Sequence, residues 1–234
     1  MSECRPSSTS LLALLQLTDS FFPTGMFAHS LGLEGIVRRG RIKTLADLEQ
    51  IIFSSLTHSV IPSDCVALVN AHRSHQTRAL DELIRIDRRL FLMKAAPELR
   101  LASQQHGRRL LTESAAFSDD RILGAYREQV LQRVAPGTGA VAFAAVTSTL
   151  DIGARLALAG YVHGYATALV SAAIRLLPIS NTDCQGLMHR VQKAIEDDLE
   201  SVHARPWQAM TAFTPELDIA SMGHVHDDLR MFAS

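Results

Sequence analysis

The sequence contains little cysteine and almost no net charge. Its three cysteines, Cys4, Cys65 and Cys184, are widely spaced and form no CxxC pair. This pattern indicates a reducing compartment rather than a disulfide framework. The formal net charge is −1, from 23 basic and 24 acidic residues. No overall basic excess is therefore available to attract nucleic acid or an anionic membrane surface.

Long apolar runs are also missing. The longest wholly apolar runs, such as residues 140–146, are far shorter than a membrane span. An apolar stretch at residues 11–17 is interrupted by Gln16, and no small-residue cleavage site follows it, so we expect no secretory signal. Hydrophobic residues make up 47% of the chain and charged residues 20%, as in an ordinary globular protein. These features predict a cytoplasmic protein.

The short motifs of common catalytic sites are absent. The sequence has no GxxxxGK[ST] phosphate loop, no GxGxxG, no GxSxG elbow and no HExxH. The adjacent carboxylates Asp197 and Asp198 would point about 100° apart on a helix, which is typical of a solvated face. Cys65 and Cys184 have no His–carboxylate pattern nearby, which favours buried, inert thiols. We therefore predict no catalytic residue, and binding or scaffolding becomes the favoured interpretation.

Ten histidines raise the question of a metal site. His72 and His75 have i, i+3 spacing on a predicted helix, and His224 and His226 flank Val225 near the C-terminus. Two histidines supply only half of a metal site, so we predict no dedicated metal and no cofactor. His224 and His226 are weak candidates for an exposed metal contact. A metal-dependent enzyme that uses these histidine-rich positions remains an alternative.

Apolar residues recur at helical spacing along nearly the whole chain. A Ser-rich tail at residues 1–10 is predicted to be disordered. Thr44 and Asp47 resemble a helix-capping pair, and Pro-Ser-Asp at 62–64 predicts a break between two helices. Asp151 is a candidate cap for a long apolar helix running to about Arg175. No strand alternation appears, so the predicted fold is an all-α, single-domain bundle of about eight to ten helices over residues 11–234.

Four stretches of the chain carry recognisable patterns. The first contains Pro23 and Gly25, an aromatic residue, and then Gly-Leu-Glu; the last contains Met-Gly-His and the ending Leu-Arg-Met-Phe-Ala-Ser. The stretches are residues 22–34, 98–111, 161–185, and 217–224 together with 229–234. In this order and spacing they resemble the UreF family of urease accessory proteins. The first and last stretches are the more specific ones.

The resemblance implies a fold and a role. UreF proteins are all-α, cytoplasmic and dimeric, and they bind the accessory protein UreD, also called UreH. Through it they recruit the GTPase UreG, and the assembly delivers nickel to the urease apoprotein. This chain is then expected to be a non-enzymatic scaffold and a homodimer. Small residues on the long apolar helix would allow the close packing of a dimer: Gly160, Gly164, Ala166, Ala168 and Ala172. A generic helical adaptor unrelated to nickel is the other alternative.

The resemblance also implies partner-binding residues. Phe27 matches an aromatic position and Arg230 an arginine position that the family uses to capture UreG. His29 and Phe232 lie beside them in the sequence and are assigned to the same role. Aromatic and arginine side chains often dominate interface energetics. The alternative is that Phe27 belongs to the core and Arg230 is a solvated charge of the tail.

Several positions depart from the family pattern. Members commonly have a histidine at the position of Gly139 and a glycine at that of Ala144. The usual Gln-x-Asp-Gly-Gln is replaced by a sequence that contains Asn181 and Cys184, and Val225 replaces a carboxylate. These changes leave open any metal-handling or polar contact at those positions, and they do not affect the helical core.

Overall fold

The computed structural model describes residues 7–23, 29–224 and 231–232, and within these ranges it is helical with no strand. The predicted all-α fold is confirmed. In chain order the helices are α1 (Ser8–Thr18), α2 (Leu33–Arg38), α3 (Leu45–Ser55), α4 (Val66–Gln76), α5 (Leu80–Met93), α6 (Pro97–Ser114), α7 (Arg121–Leu131), α8 (Gly139–Thr149), α9 (Ala154–Leu176), α10 (Asn181–Ala194), α11 (Glu196–Val202) and α12 (Pro215–His224). A π-helical segment, Leu56–Cys65, connects α3 to α4, and a 3₁₀ turn, Trp207–Ala209, precedes α12.

The predicted helix break at residues 62–64 is wrong. Residues Leu45–Gln76 form one continuous helix of 32 residues that contains Pro62 in its π-helical segment. A proline lacks an N–H and its ring clashes with the carbonyl four residues earlier, here that of His58. The wider π-helical turn accommodates the ring. The backbone N–H of Phe213 donates to the His58 carbonyl at 2.8 Å, and that of Thr211 donates to the Pro62 carbonyl at 3.1 Å.

Of the two helix caps predicted from the sequence, the one at α3 is confirmed and the one at α9 is wrong. The capping box at α3 is confirmed, because the Thr44 hydroxyl accepts from the Asp47 N–H at 3.2 Å and the Asp47 carboxylate accepts from the Thr44 N–H at 2.9 Å. The predicted cap of α9 is wrong: Gly153 occupies that position, and Asp151 adopts a φ of 55° in the preceding turn. Helix α1 begins at Ser8, inside the range predicted as a tail, and residues 1–6 lie outside the described part.

The core is built around two apolar helices. Every residue from 139 to 147 in α8 is buried, and α8 packs between α4 and α6. Helix α9 packs against α1, α2, α8 and α10. Two helices, Leu45–Gln76 and Ala154–Leu176, are long and apolar enough to span a membrane, but 67% and 61% of their apolar windows are buried inside the fold. Helices buried in this way are typical of a protein core.

A buried carboxylate fixes the loop that enters α8. Asp87 is fully buried on α5 and accepts hydrogen bonds from the Tyr126 hydroxyl (2.8 Å), the Gly137 N–H (2.7 Å), and the N–H and hydroxyl of Thr138 (2.8 and 2.5 Å). Burial raises the pKa of Asp87, and these hydrogen bonds oppose that shift. The loop also touches α6, where a Cβ on Gly107 would lie 2.2 Å from the Gly137 carbonyl oxygen. Asp87 and Gly107 therefore hold α5, α6, α7 and α8 together.

We expect Asp87→Ala to lower the free energy of unfolding by on the order of 3 kcal/mol. The substitution leaves several buried donors without an acceptor, and each such loss is costly. Urea unfolding followed by circular dichroism measures the effect. The control is Asp81→Ala, which removes an exposed carboxylate from the same helix and should leave the midpoint almost unchanged. Equal effects of the two substitutions would show that the buried network does not stabilise the fold.

Candidate functional site

The C-terminal residues Met231 and Phe232 are attached to the N-terminal helix α2. The Glu34 carboxylate is 1% exposed and accepts the backbone N–H groups of Met231 and Phe232, each at 3.1 Å. The Arg38 guanidinium, one turn later, donates to the same carboxylate at 3.0 Å. We call the contact of Glu34 with residues 231–232 the terminal junction. It joins segments that are 198 positions apart in the sequence.

The Phe232 side chain anchors this junction. It is buried, and the Arg175 guanidinium of α9 lies 5.5 Å from its ring centroid. At this separation a guanidinium is attracted to the face of an aromatic ring. Phe232 therefore connects the C-terminal residues to the core helix α9 as well as to α2.

Helix α12 approaches α2 closely at two glycines. A Cβ on Gly32 would lie 2.9 Å from the Leu217 carbonyl oxygen, and one on Gly35 would lie 2.6 Å from the Ala220 carbonyl oxygen. Gly32 also has a φ of 89°, a left-handed conformation that glycine adopts readily. The Gly-Leu-Glu pattern of the sequence thus has a structural reason: the glycine admits α12 and the glutamate holds the C-terminal residues.

The predicted partner-binding residues are distributed as follows. His29 and Phe232 are both buried. Phe27, Arg230 and His226 lie outside the described residues, as does the side chain of His224. In the sequence, Phe27 is two residues before His29 and Arg230 immediately precedes Met231. Their role in partner binding stays a prediction.

Large apolar side chains are exposed on and around α12. Phe213 is 76% exposed, Met231 60%, Ile219 59% and Met222 40%. Such groups, when they gather in one region, mark protein interaction sites more often than inert surface. Sequence periodicity did not identify them, because burial of the opposite side of α12 depends on its contact with α2.

A cavity of about 100 Å³ lies beside α12. Its lining includes Lys94 and Asp64, and the Lys94 ammonium lies 2.9 Å from both carboxylate oxygens of Asp64. The Ser63 hydroxyl donates to Asp64 at 2.9 Å and the Tyr161 hydroxyl at 3.1 Å. The π-helical segment supplies Ser63 and Asp64. Sequence reasoning missed this group, since no spacing rule connects Lys94 on the α5–α6 connection with Asp64.

Two histidines, His106 and His29, also line the cavity. Neither ring nitrogen of His106 has a hydrogen-bond partner in the described parts of the chain. Burial lowers the pKa of His106 to about 4. Burial also lowers the pKa of His29, and a hydrogen bond with Gln105 opposes that shift. A Cβ on Gly139 would lie 2.8 Å from the His106 ring, so the glycine provides the room for the imidazole.

The histidine pair on α4 has structural partners. His72 Nε2 lies 2.8 Å from the Ile152 carbonyl oxygen. His75 Nδ1 lies 3.0 Å from the Ser148 hydroxyl, and its Nε2 lies 3.0 Å from the Asp120 carboxylate. Across residues 7–23, 29–224 and 231–232, no group of three or more His, Cys, Asp or Glu side chains is placed to hold a metal ion. These contacts give the metal-enzyme alternative no support.

The two described cysteines and the positions that depart from the family pattern lie mainly in the core. Cys65 and Cys184 are buried and unpaired, and burial raises the pKa of each thiol. Ala144 is buried in α8, and Asn181 begins α10 at the surface. Among the four of these positions that the structure describes, Gly139 alone lines the cavity described above. Val225 lies outside the described residues.

The fold and site define an all-helical protein whose distinctive features are a terminal junction, exposed apolar side chains on and around α12, and a cavity beside that helix. Residues 42–192 match the UreF family model. The chain is 29% identical to the urease accessory protein UreF of Bacillus sp. (strain TB-90), over 96% of this chain and 99% of that relative. It is 31% identical to urease accessory protein UreF 1 of Brucella melitensis, over 95% and 92%, and 32% identical to the UreF of Trichodesmium erythraeum, over 95% and 96%. The chain belongs to the UreF family of urease accessory proteins.

We expect Glu34→Ala to release the C-terminal residues from α2. The substitution removes the acceptor of two backbone N–H groups, and hydrogen bonds to a charged group are worth about 1.5–3 kcal/mol each. Carboxypeptidase should then remove the terminal residues at least about tenfold faster, as followed by mass spectrometry. Glu49→Ala is the control, because it breaks the exposed ion pair with Arg190 and leaves the junction intact. Equal digestion rates for both variants would contradict the role of Glu34.

We also expect the protein to lose stability in acid, partly through His106. The unfolded histidine takes up a proton near pH 6.5, whereas the folded one does so only near pH 4. The contribution of His106 to the free energy of unfolding is therefore complete above pH 6.5. It decreases by up to about 3 kcal/mol as the pH falls to about 4. His29, His72 and His75 act in the same direction, because burial lowers the pKa of each.

Urea unfolding at pH 7.5 and pH 4.5 measures this loss. His106→Leu should show a smaller loss of stability between the two pH values than the unsubstituted protein. His189→Leu, which replaces an exposed histidine, is the control and should show the full loss. An unchanged pH dependence in His106→Leu would mean that this imidazole is charged or hydrated in the folded state.

Proposed function

We propose that this protein acts in urease maturation as a cytoplasmic, non-enzymatic scaffold. On this proposal it binds UreD (UreH) and thereby recruits the GTPase UreG, so that nickel reaches the urease apoprotein. Family membership supports the role in urease maturation. The terminal junction is the observation that carries the partner-binding part. Glu34 and Phe232 bring together the two ends of the chain, and these ends contain the patterns most specific to the family.

The apolar surface near the junction supports partner binding. Phe213, Ile219, Met222 and Met231 expose apolar area around α12, and a soluble chain gains little by exposing such groups unless another protein covers them. His29 and Phe232 are both buried, and in the sequence they follow Phe27 and Arg230 respectively, each two residues later. We propose that they contribute to binding by anchoring those segments rather than by touching the partner directly.

Nickel is cargo of the assembly in this proposal. The described residues contain no three-ligand cluster, so we propose that the isolated chain contacts nickel weakly, with His224 and His226 as candidates. A pair of imidazoles supplies only part of a coordination shell. The passage of the metal would then depend on groups that the partners supply.

We expect Phe27→Ala and Arg230→Ala to weaken recruitment of UreG while helicity and UreD binding are retained. Truncation of an aromatic or arginine residue at the centre of an interface costs about 2 kcal/mol or more, which corresponds to roughly thirtyfold in affinity. Pull-down of UreG by the complex of this chain with UreD, followed by quantitative titration, measures the effect.

Matched controls are Phe53→Ala on α3 and Arg85→Ala on α5, which truncate exposed residues of the same types. Both should recruit UreG normally. Normal recruitment by Phe27→Ala and Arg230→Ala would place the UreG contact elsewhere. Unfolding of Phe27→Ala would instead identify Phe27 as a core residue.

We further propose a symmetric homodimer, in keeping with the family resemblance. Most of the small residues of α9 are used within the chain: a Cβ on Gly160 would lie 2.6 Å from the Leu14 side chain, whereas one on Gly164 would meet nothing within 4 Å. His163 is exposed and Gly164 itself is half-buried, so this part of α9 is open to solvent. A close helix–helix contact could form there.

Light scattering at micromolar concentration should give twice the 25.6-kDa chain mass. Gly164→Leu should shift the protein toward monomer, because it adds bulk where the helices would meet. Gly124→Leu, at an open position on α7, is the control. A monomer that does not dimerise after addition of UreD would contradict this proposal.

A further inference from the structure

The cavity beside α12 has the composition of a small-molecule site. Its wall is largely apolar, with Val60, Leu99 and Ala102 among the lining residues, and a few polar groups converge on it. Binding sites for small molecules combine apolar walls with a small number of placed polar groups. Part of the wall is the π-helical segment, and π-helical turns inside longer helices often occur at functional sites.

His106 is a buried cavity residue whose ring nitrogens lack hydrogen-bond partners among the described residues. It is 8% exposed, it lines the cavity, and neither of its ring nitrogens has a hydrogen-bond partner in the described ranges. A neutral imidazole has one N–H donor and one acceptor nitrogen. Buried polar groups are almost always paired, so an exception indicates a bound molecule that completes the pairing. Gly139 keeps the space beside the ring open.

The charges of the cavity disfavour an anionic ligand. The Lys94 ammonium is already neutralised by Asp64, with both carboxylate oxygens at 2.9 Å, so it is not available to attract an anion. The lining also contains hydroxyls, those of Ser59 and Thr214 among them, and the carboxylate of Asp218. Asp218 and the acceptor nitrogen of His106 would both accept hydrogen bonds from a ligand N–H group.

We propose that this cavity binds a small, neutral molecule with an amide-like polar edge, which pairs with the His106 ring and lies against the apolar wall. The volume of about 100 Å³ equals roughly three water molecules, which suits a compound the size of acetamide. The site is distinct from the terminal junction and does not depend on the proposed scaffold role. It would make the protein responsive to a metabolite of this class.

Acetamide is the probe. The full-length protein, with ¹⁵N-labelled histidine, is titrated at pH 7.5 while the ring nitrogen resonances are recorded. We expect a saturable shift of the His106 resonances, whereas acetate, an anion of nearly the same size and shape, should produce none. In His106→Leu the dissociation constant for acetamide, measured by ligand-detected NMR, should rise at least tenfold. His189→Leu should bind as the unsubstituted protein does.

Gly139→Ala provides a second variant in case His106→Leu fails to fold. Its added Cβ would press on the His106 ring, so it should weaken acetamide binding without removing the imidazole. The proposal is overturned if acetamide gives no saturable shift and bound water alone occupies the cavity. It is also overturned if both variants bind acetamide normally, or if acetate or nickel chloride shifts His106 where acetamide does not.

Discussion

The position of Pro62 inside a continuous 32-residue helix is the constraint on which much of the structure depends. The ring cannot sit in a regular α-helix, so the helix widens and the carbonyls of His58 and Pro62 become available. The chain at Thr211 and Phe213 binds to these carbonyls. That attachment sets where α12 begins, and α12 then covers the cavity and packs on α2. Pro62 and its π-helical turn thus fix the chain that leads into α12, the helix that lines the cavity and contacts α2.

Three buried carboxylates connect distant parts of the chain. Glu34 binds the C-terminal residues, Asp64 binds Lys94, and Asp87 binds the loop before α8. Each carboxylate is surrounded by donors, as a buried charge must be if it is not to destabilise the fold. The small side chains of α8 and α9 allow close packing, but apolar contacts do not select one orientation of the helices over another. Hydrogen bonds to the three carboxylates do select it, because each bond requires a particular donor at a particular place.

The sequence was sufficient where the determining interactions are local. The capping box of Thr44 and Asp47 and the apolar periodicity of the helices depend on residues three or four positions apart, and the helical fold followed from them. The prediction of a helix break at Pro62 was wrong, because the N–H groups that bond to the carbonyls freed by the proline lie about 150 residues later in the chain. Sequence reasoning also missed the pairing of Asp64 with Lys94 and the burial of His106, since these depend on how helices pack. His72 and His75 were recognised as a pair, but their hydrogen-bond partners on other segments could not be inferred from spacing.

The π-helical segment also has a consequence for how the chain can change length. A π-helical turn, with its i→i+5 hydrogen bonds, contains more residues than an α-helical turn, so the segment holds extra chain length while α4 keeps its facing toward α5 and α8. In an α-helical part of the same helix, one inserted or deleted residue would rotate everything downstream by about 100°. Changes in chain length should therefore be tolerated within residues 56–65 more readily than in α3 or α4.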